Sequence, residues 1–202
     1  MIKDRPEWTA LRDVIERHAI HVLPPGQTMP ARSPGQTWTN LFMLRRVTQD
    51  GVLLRACVDL MAYLMIDDGL DLREIQLAGM ETGAIPLLAG FACLYSVPTL
   101  TVRKTPRDHG LHNRIEGRLH DDRQIVLIDD TLGGGSRVWW TWDTLHDRFA
   151  LGAGIHGTVY TLLQNWPVDG VSRGDATLRT RTVFDRNDFD FTYAPGRDWP
   201  AP

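Results

Sequence analysis

The chain has 202 residues, 43% of them hydrophobic and 23% charged, enough for one compact domain and unlike a repeat array or a coiled coil. Lys and Arg total 22 against 25 Asp and Glu, a net charge of -3, so no basic excess exists to hold a nucleic-acid backbone. Cys57 and Cys93 lie far apart in apolar helical patterns and read as reduced core thiols, so a cytoplasmic setting is expected; the apolar runs are too short and interrupted to span or anchor to a membrane.

In chain order, Trp8, Leu11, Val14 and Ile15 recur at helical spacing and predict an amphipathic helix ending near His18. Residues 23–36 carry Pro24, Pro25, Gly26, Pro30, Pro34 and Gly35 and predict a loop. Val52, Leu53, Ala56, Cys57, Leu60, Met61 and Leu64 share one broad helical face, closed by Gly69. Three short apolar runs, residues 75–78, 99–102 and 125–128, read as strands buried on both faces, with a helix over 83–95 between the first two. After Ser136 the stripe Val138, Trp142, Leu145 and Phe149 predicts another helix, stopped by Gly152 and Gly154, and residues 156–163 read as a further strand. With Trp142 in that stripe, its neighbours Trp139 and Trp140 are candidates for core or a subunit contact. Residues 177–184 read as an edge strand with Arg179 and Arg181 on one solvated face, and 185–202 as loop or a docked terminus. The order is α/β throughout.

Chemistry concentrates in Ile125-Val126-Leu127-Ile128-Asp129-Asp130-Thr131-Leu132-Gly133-Gly134-Gly135-Ser136, where an apolar strand runs into two carboxylates, a glycine loop and a helix start. Beyond the carboxyl end of such a strand, the N–H groups of a glycine turn converge on a phosphate, helped by the helix dipole. Ser136 is placed to cap the helix or to bind the same phosphate. Asp129 and Asp130 offer adjacent acceptors for the vicinal hydroxyls of a ribose, so a ribose 5-phosphate site follows. Helix capping and a plain turn explain the carboxylates as well when they are taken alone. Three successive glycines, each disfavoured by about 1 kcal/mol in ordering entropy, favour the ligand site. The loop itself matches neither the Gly-Lys-Ser/Thr phosphate loop nor the Gly-x-Gly-x-x-Gly dinucleotide turn.

This segment resembles the hallmark of the type I phosphoribosyltransferases. Two more stretches sharpen the likeness. Val102-Arg103-Lys104-Thr105-Pro106-Arg107-Asp108-His109-Gly110, followed by Arg114-Ile115-Glu116-Gly117, is similar to the flexible basic loop and trailing Ile-Glu-Gly of orotate phosphoribosyltransferases. Ala78-Gly79-Met80-Glu81-Thr82-Gly83-Ala84-Ile85-Pro86-Leu87 is similar to that family's glycine turn before a Gly-Ile-Pro helix. The resemblance implies an α/β fold: an open parallel sheet of about five strands, helices on both faces, and a small hood from the N-terminal segment and C-terminal tail. Residues 1–45 would form the N-terminal helix and hood loop of a single domain, 46–166 the α/β core, and 167–202 the last strand and tail.

The activity implied is transfer of ribose 5-phosphate from phosphoribosyl pyrophosphate to a nucleobase-like acceptor, with release of pyrophosphate. Asp129 and Asp130 would hold the ribose hydroxyls, and Thr131, Leu132, Gly133, Gly134, Gly135 and Ser136 the 5-phosphate. Arg103, Lys104, Arg107 and His109 would close over pyrophosphate as a lid, in their own subunit or across a homodimer. Glu81, Thr82 and Asn165 complete the expected substrate contacts. Mg²⁺ is expected to arrive on the substrate; His109 and His112 have no carboxylate or thiol at ligand spacing, so no protein-held metal is expected.

Departures from the family pattern bear on activity and on the acceptor. Arg107 stands where the family loop has lysine, and Gly133 where the phosphate loop usually has threonine. Leu162-Leu163-Gln164-Asn165-Trp166 stands at the place of an Asp-Arg pair that recognises orotate, and Leu23-Pro24-Pro25-Gly26-Gln27 at that of a base-binding lysine. Gln164, Asn165 and Trp166 suit an uncharged base, so orotate is not the expected acceptor unless Arg32 or Arg45 supplies a cation. A catalytically silent protein that binds phosphoribosyl pyrophosphate or a nucleotide, as a sensor or assembly partner, is the alternative.

Overall fold

The computed structural model describes residues 1–30, 37–105, 114–149, 154–165 and 168–193. Pro6 opens α1 (Pro6–His18), where a missing N–H is no loss, and Trp8, Leu11 and Ile15 turn inwards. Four short strands follow, β1 (Ile20–Val22), β2 (Met29–Pro30), β3 (Thr37–Trp38) and β4 (Asn40–Phe42), with β1 antiparallel to β4 and β2 to β3. After the single turn α2 (Arg45–Thr48), Asp50 caps α3 (Gly51–Asp67) by accepting from the N–H groups of Val52 and Leu53 at 3.0 and 3.1 Å. Alternation of strand and helix then continues through β5 (Ile75–Met80), α4 (Ala84–Tyr95), β6 (Thr99–Val102), β7 (Ile115–Glu116), β8 (Gln124–Leu132), α5 (Ser136–Arg148) and β9 (Ile155–Gln164). A hairpin of β10 (Gly170–Arg173) and β11 (Ala176–Asp185) ends the sheet.

The large sheet has the order β10-β11-β9-β8-β5-β6-β7. Its five inner strands are mutually parallel, as expected, while β10 and β7 pair antiparallel at the two edges. Successive side chains on a strand point to opposite faces, and β8 shows the result. Val126 and Ile128 join the cluster built with α1, α3 and α4, whereas Ile125 and Leu127 join the one built with α5. Helices therefore cover both faces, and every residue of β5 is buried. The N-terminal segment meets the tail at β4, where Phe42 packs edge-on against Phe189 at 5.8 Å and Phe191 at 5.6 Å.

Several expectations change. The strand over 177–184 is interior, flanked by β9 and β10, because the short β10 was not foreseen and takes the edge. Its Arg181 is paired, at 3.1 Å from Asp67 and 2.9 Å from Asp68. On α5 the sheet-facing set is Val138, Trp139, Thr141 and Leu145, so Trp139 takes the core position and Trp142 and Phe149 are half-buried. Cys57 is buried, but Cys93 is exposed. Val52 sits in the exposed first turn of α3. Among the described residues, no helix is long and apolar enough to cross a membrane.

Candidate functional site

Asp129 and Asp130 stand near the carboxyl end of β8, between β9 and β5 in the middle of the sheet. The Asp129 side chain is 5% exposed and that of Asp130 14%. Asp129 Oδ1 accepts the Asp130 N–H at 2.9 Å, and Asp130 Oδ1 accepts the Thr131 N–H at 2.7 Å. Gly83, just before α4, closes in on Asp130: a Cβ there would lie 2.3 Å from the carboxylate carbon. Burial pushes the Asp129 carboxyl well above the usual carboxylate range, the neighbouring Asp130 charge pushes it further, and Arg137 pulls it back.

After the buried Leu132 the chain leaves the sheet. Gly135 precedes α5 in the left-handed region, φ 77°, and a Cβ on it would meet Val171 at 2.7 Å, so conformation and packing both demand glycine. At Gly133 and Gly134 a Cβ would meet nothing within 4 Å. Gly135, not Ser136, is the cap residue. Among the described residues no side chain caps the start of α5, the end where the helix dipole favours an anion. Carboxylate acceptors for hydroxyls and backbone donors for a phosphate therefore stand side by side.

Arg137 is a further candidate site residue, one that the sequence did not single out. Its Nη2 donates to the Thr131 carbonyl at 2.7 Å and stands 3.2 Å from Asp129 Oδ2 and 3.7 Å from Asp130 Oδ1. A small cleft beside it is lined by Met80, Ile128, Val138 and Thr141. The signal was a cation in the first turn of a helix, where the dipole disfavours positive charge.

After β6, the Lys104 N–H donates to Glu81 Oε1 at 2.8 Å. Arg103 donates from Nη1 to Glu116 Oε1 at 3.1 Å, and its Nε lies 3.9 Å from Glu81 Oε2. Arg103 is thus engaged by carboxylates, while Lys104 and Thr82 are exposed. Arg107 and His109 lie outside the described residues, as do Arg32, His112, Gly152 and Trp166.

On the acceptor side, Asn165 donates its N–H to the Leu132 carbonyl at 2.8 Å, which sets it against the glycine loop. Arg186 donates to Asn165 Oδ1 at 3.2 Å and to Asn40 Oδ1 at 2.9 Å, with its guanidinium 4.3 Å over the Phe191 ring. Asn40 is buried in β4, and its Nδ2 has no partner among the described residues. Gln164 is spent internally, donating from Nε2 to the Val168 carbonyl at 2.5 Å, so the expected Gln164-Asn165 amide pair is not available as a pair. No local motif announces Arg186; it arrives because β11 runs parallel to β9 with Asp185 opposite Gln164.

The mostly parallel sheet, with an acid pair and a glycine loop at the end of a central strand, has the fold of solved phosphoribosyltransferases. A phosphoribosyltransferase from Corynebacterium diphtheriae shares it with a TM-score of 0.69 at 18% identity, over 91% of this chain and 98% of that one. The Mycobacterium tuberculosis orotate phosphoribosyltransferase in complex with 5-phospho-alpha-D-ribosyl 1-diphosphate gives a TM-score of 0.63 at 18% identity, over 92% and 93% of the two chains. In sequence, the chain is similar to the orotate phosphoribosyltransferase of Methanocaldococcus jannaschii, 30% identical over 94 residues, which are 46% of this chain and 51% of that protein. The chain spans about half the length of the curated relatives it matches. No protein-family profile matches it.

Proposed function

We propose that this chain is a phosphoribosyltransferase that moves ribose 5-phosphate from phosphoribosyl pyrophosphate to a nitrogen of a nucleobase-type acceptor. The observation that carries the reading is the acid pair at the end of β8 followed directly by the glycine loop and uncapped start of α5. In this reading Asp129 and Asp130 receive the ribose hydroxyls, and the backbone from Thr131 to Ser136 receives the 5-phosphate. The bond from the anomeric carbon to pyrophosphate oxygen breaks with its electron pair leaving on pyrophosphate. The acceptor nitrogen then supplies the pair for the new carbon–nitrogen bond, and the proton it carried leaves with pyrophosphate. Between the two the ribose carries oxocarbenium-like charge, which the fixed carboxylates stabilise. Lys104, Arg107 and His109, with Arg103 once released from its carboxylates, would draw off the pyrophosphate charge, which arrives with substrate-borne Mg²⁺. A homodimer that shares this lid and a cytoplasmic setting belong to the same proposal.

Arg186 bears on the acceptor. Its guanidinium and Asn40 Nδ2, which has no partner among the described residues, favour an acceptor edge made of carboxylate and carbonyl oxygens over an uncharged one. Orotate, named in the relatives, has that edge, so the expectation against orotate gives way to one in its favour. The test is pyrophosphate release from phosphoribosyl pyrophosphate and Mg²⁺ with orotate, uracil and adenine in turn. Release with orotate is the expected result. Binding of the sugar without release for any base would favour the sensor alternative.

A further inference from the structure

Arg137 occupies the place that the proposed reaction needs. It is the second residue of α5, and the helix dipole disfavours a cation there. Its side chain nevertheless turns back toward the strand end, where one nitrogen, Nη2, reaches Asp129 Oδ2, Asp130 Oδ1 and the Thr131 carbonyl. Only 27% of the side chain is exposed. With Arg137 so placed, both oxygens of Asp129 are engaged, Oδ1 by the Asp130 N–H and Oδ2 by the guanidinium. A ribose hydroxyl donates to the same carboxylate lone pairs. Guanidinium and diol therefore draw on the same carboxylates, and with the Asp129 side chain only 5% exposed the diol needs the approach that the guanidinium occupies.

From this geometry we infer that Arg137 is an internal competitor of the ribose hydroxyls: the free protein holds its acid pair closed, and a phosphoribosyl ligand binds by displacing the guanidinium. The inference rests on the reading of Asp129 and Asp130 as the ribose seat. Its consequence is selectivity. A ligand with two adjacent hydroxyls replaces the donors that it displaces, whereas inorganic phosphate or pyrophosphate has no vicinal diol, is repelled by the carboxylates as an anion, and leaves Arg137 in place. When the competent state is a minor fraction, apparent affinity falls by that fraction, and removing the competitor returns it.

Calorimetric titration of phosphoribosyl pyrophosphate with Mg²⁺ into wild type, Arg137→Gln and Arg137→Lys tests this. Arg137→Gln keeps a donor without the charge and should bind about tenfold more tightly than wild type. Arg137→Lys, which keeps the charge on a single ammonium, should fall between them. A gain in affinity is an outcome that misfolding does not imitate. As a second readout on unmodified protein, the ¹⁵N signal of the Arg137 guanidinium should move on adding ribose 5-phosphate and stay put on adding phosphate. Equal or weaker binding by Arg137→Gln, with wild type binding normally, overturns the competitor role and leaves the ribose seat standing. No binding by wild type or either variant overturns the phosphoribosyl reading, and the competitor role with it.

Discussion

In the proposed function the two halves of the site are built in opposite ways. The phosphoribosyl half is continuous in the chain: Asp129 to Arg137 supply the carboxylates, the glycine loop, the start of α5 and the cation that covers the acid pair. The acceptor half is assembled from Asn40 in β4, Asn165 after β9 and Arg186 after β11, joined by hydrogen bonds of 2.9 and 3.2 Å. A continuous site tolerates change only together with its strand and helix. A composite one draws on distant segments, and here a guanidinium from the C-terminal segment stands beside Asn165.

Asp130→Asn should have the largest effect. It keeps the shape against Gly83 but removes the more accessible charge, and a charge-assisted hydrogen bond is worth roughly 1.5–3 kcal/mol, so kcat/KM for phosphoribosyl pyrophosphate should fall about 10- to 100-fold. Arg186→Leu attacks the other half. The KM for orotate should rise about tenfold or more while affinity for phosphoribosyl pyrophosphate stays within about twofold; a fall in both would show that the halves are not separable.

Two smaller effects sharpen the picture of the continuous half. Gly135→Ala places a Cβ at φ 77° against Val171 and should lower stability in thermal melts by about 1–2 kcal/mol. Gly134→Ala, where a Cβ meets nothing within 4 Å, should leave the melt unchanged. The smallest effect concerns pH. Because burial raises the Asp129 carboxyl, the folded protein holds a proton that the unfolded chain loses near pH ~4. That contribution is fully present below pH ~4 and is lost as pH rises through the raised value, so stability should decline over that window. Asp129→Asn should flatten the decline in melts across that range.

How much of this was legible follows from the same contrast. The apolar run into Asp129-Asp130 and three glycines announced strand, turn and helix within twelve residues, and the parallel core with helices on both faces followed from unbroken apolar runs. Arg137 lay in plain view but without a periodic pattern to mark its direction. Trp139 displaced Trp142 because a stripe fixes a helix face only to about one position either way. The short, half-exposed β10 carried too little apolar signal, which made β11 look like an edge. Arg186 was invisible, since nothing local records that β11 lies beside β9 and delivers the next residue to Asn165.

The central claim, that the end of β8 and the start of α5 hold a phosphoribosyl group, is tested most directly by calorimetry. Phosphoribosyl pyrophosphate with Mg²⁺ would be titrated into wild type and into the Asp129→Asn/Asp130→Asn double variant. Saturable binding by wild type and a loss of at least about 100-fold in the double variant is the predicted result. Unchanged affinity in a folded double variant would contradict it.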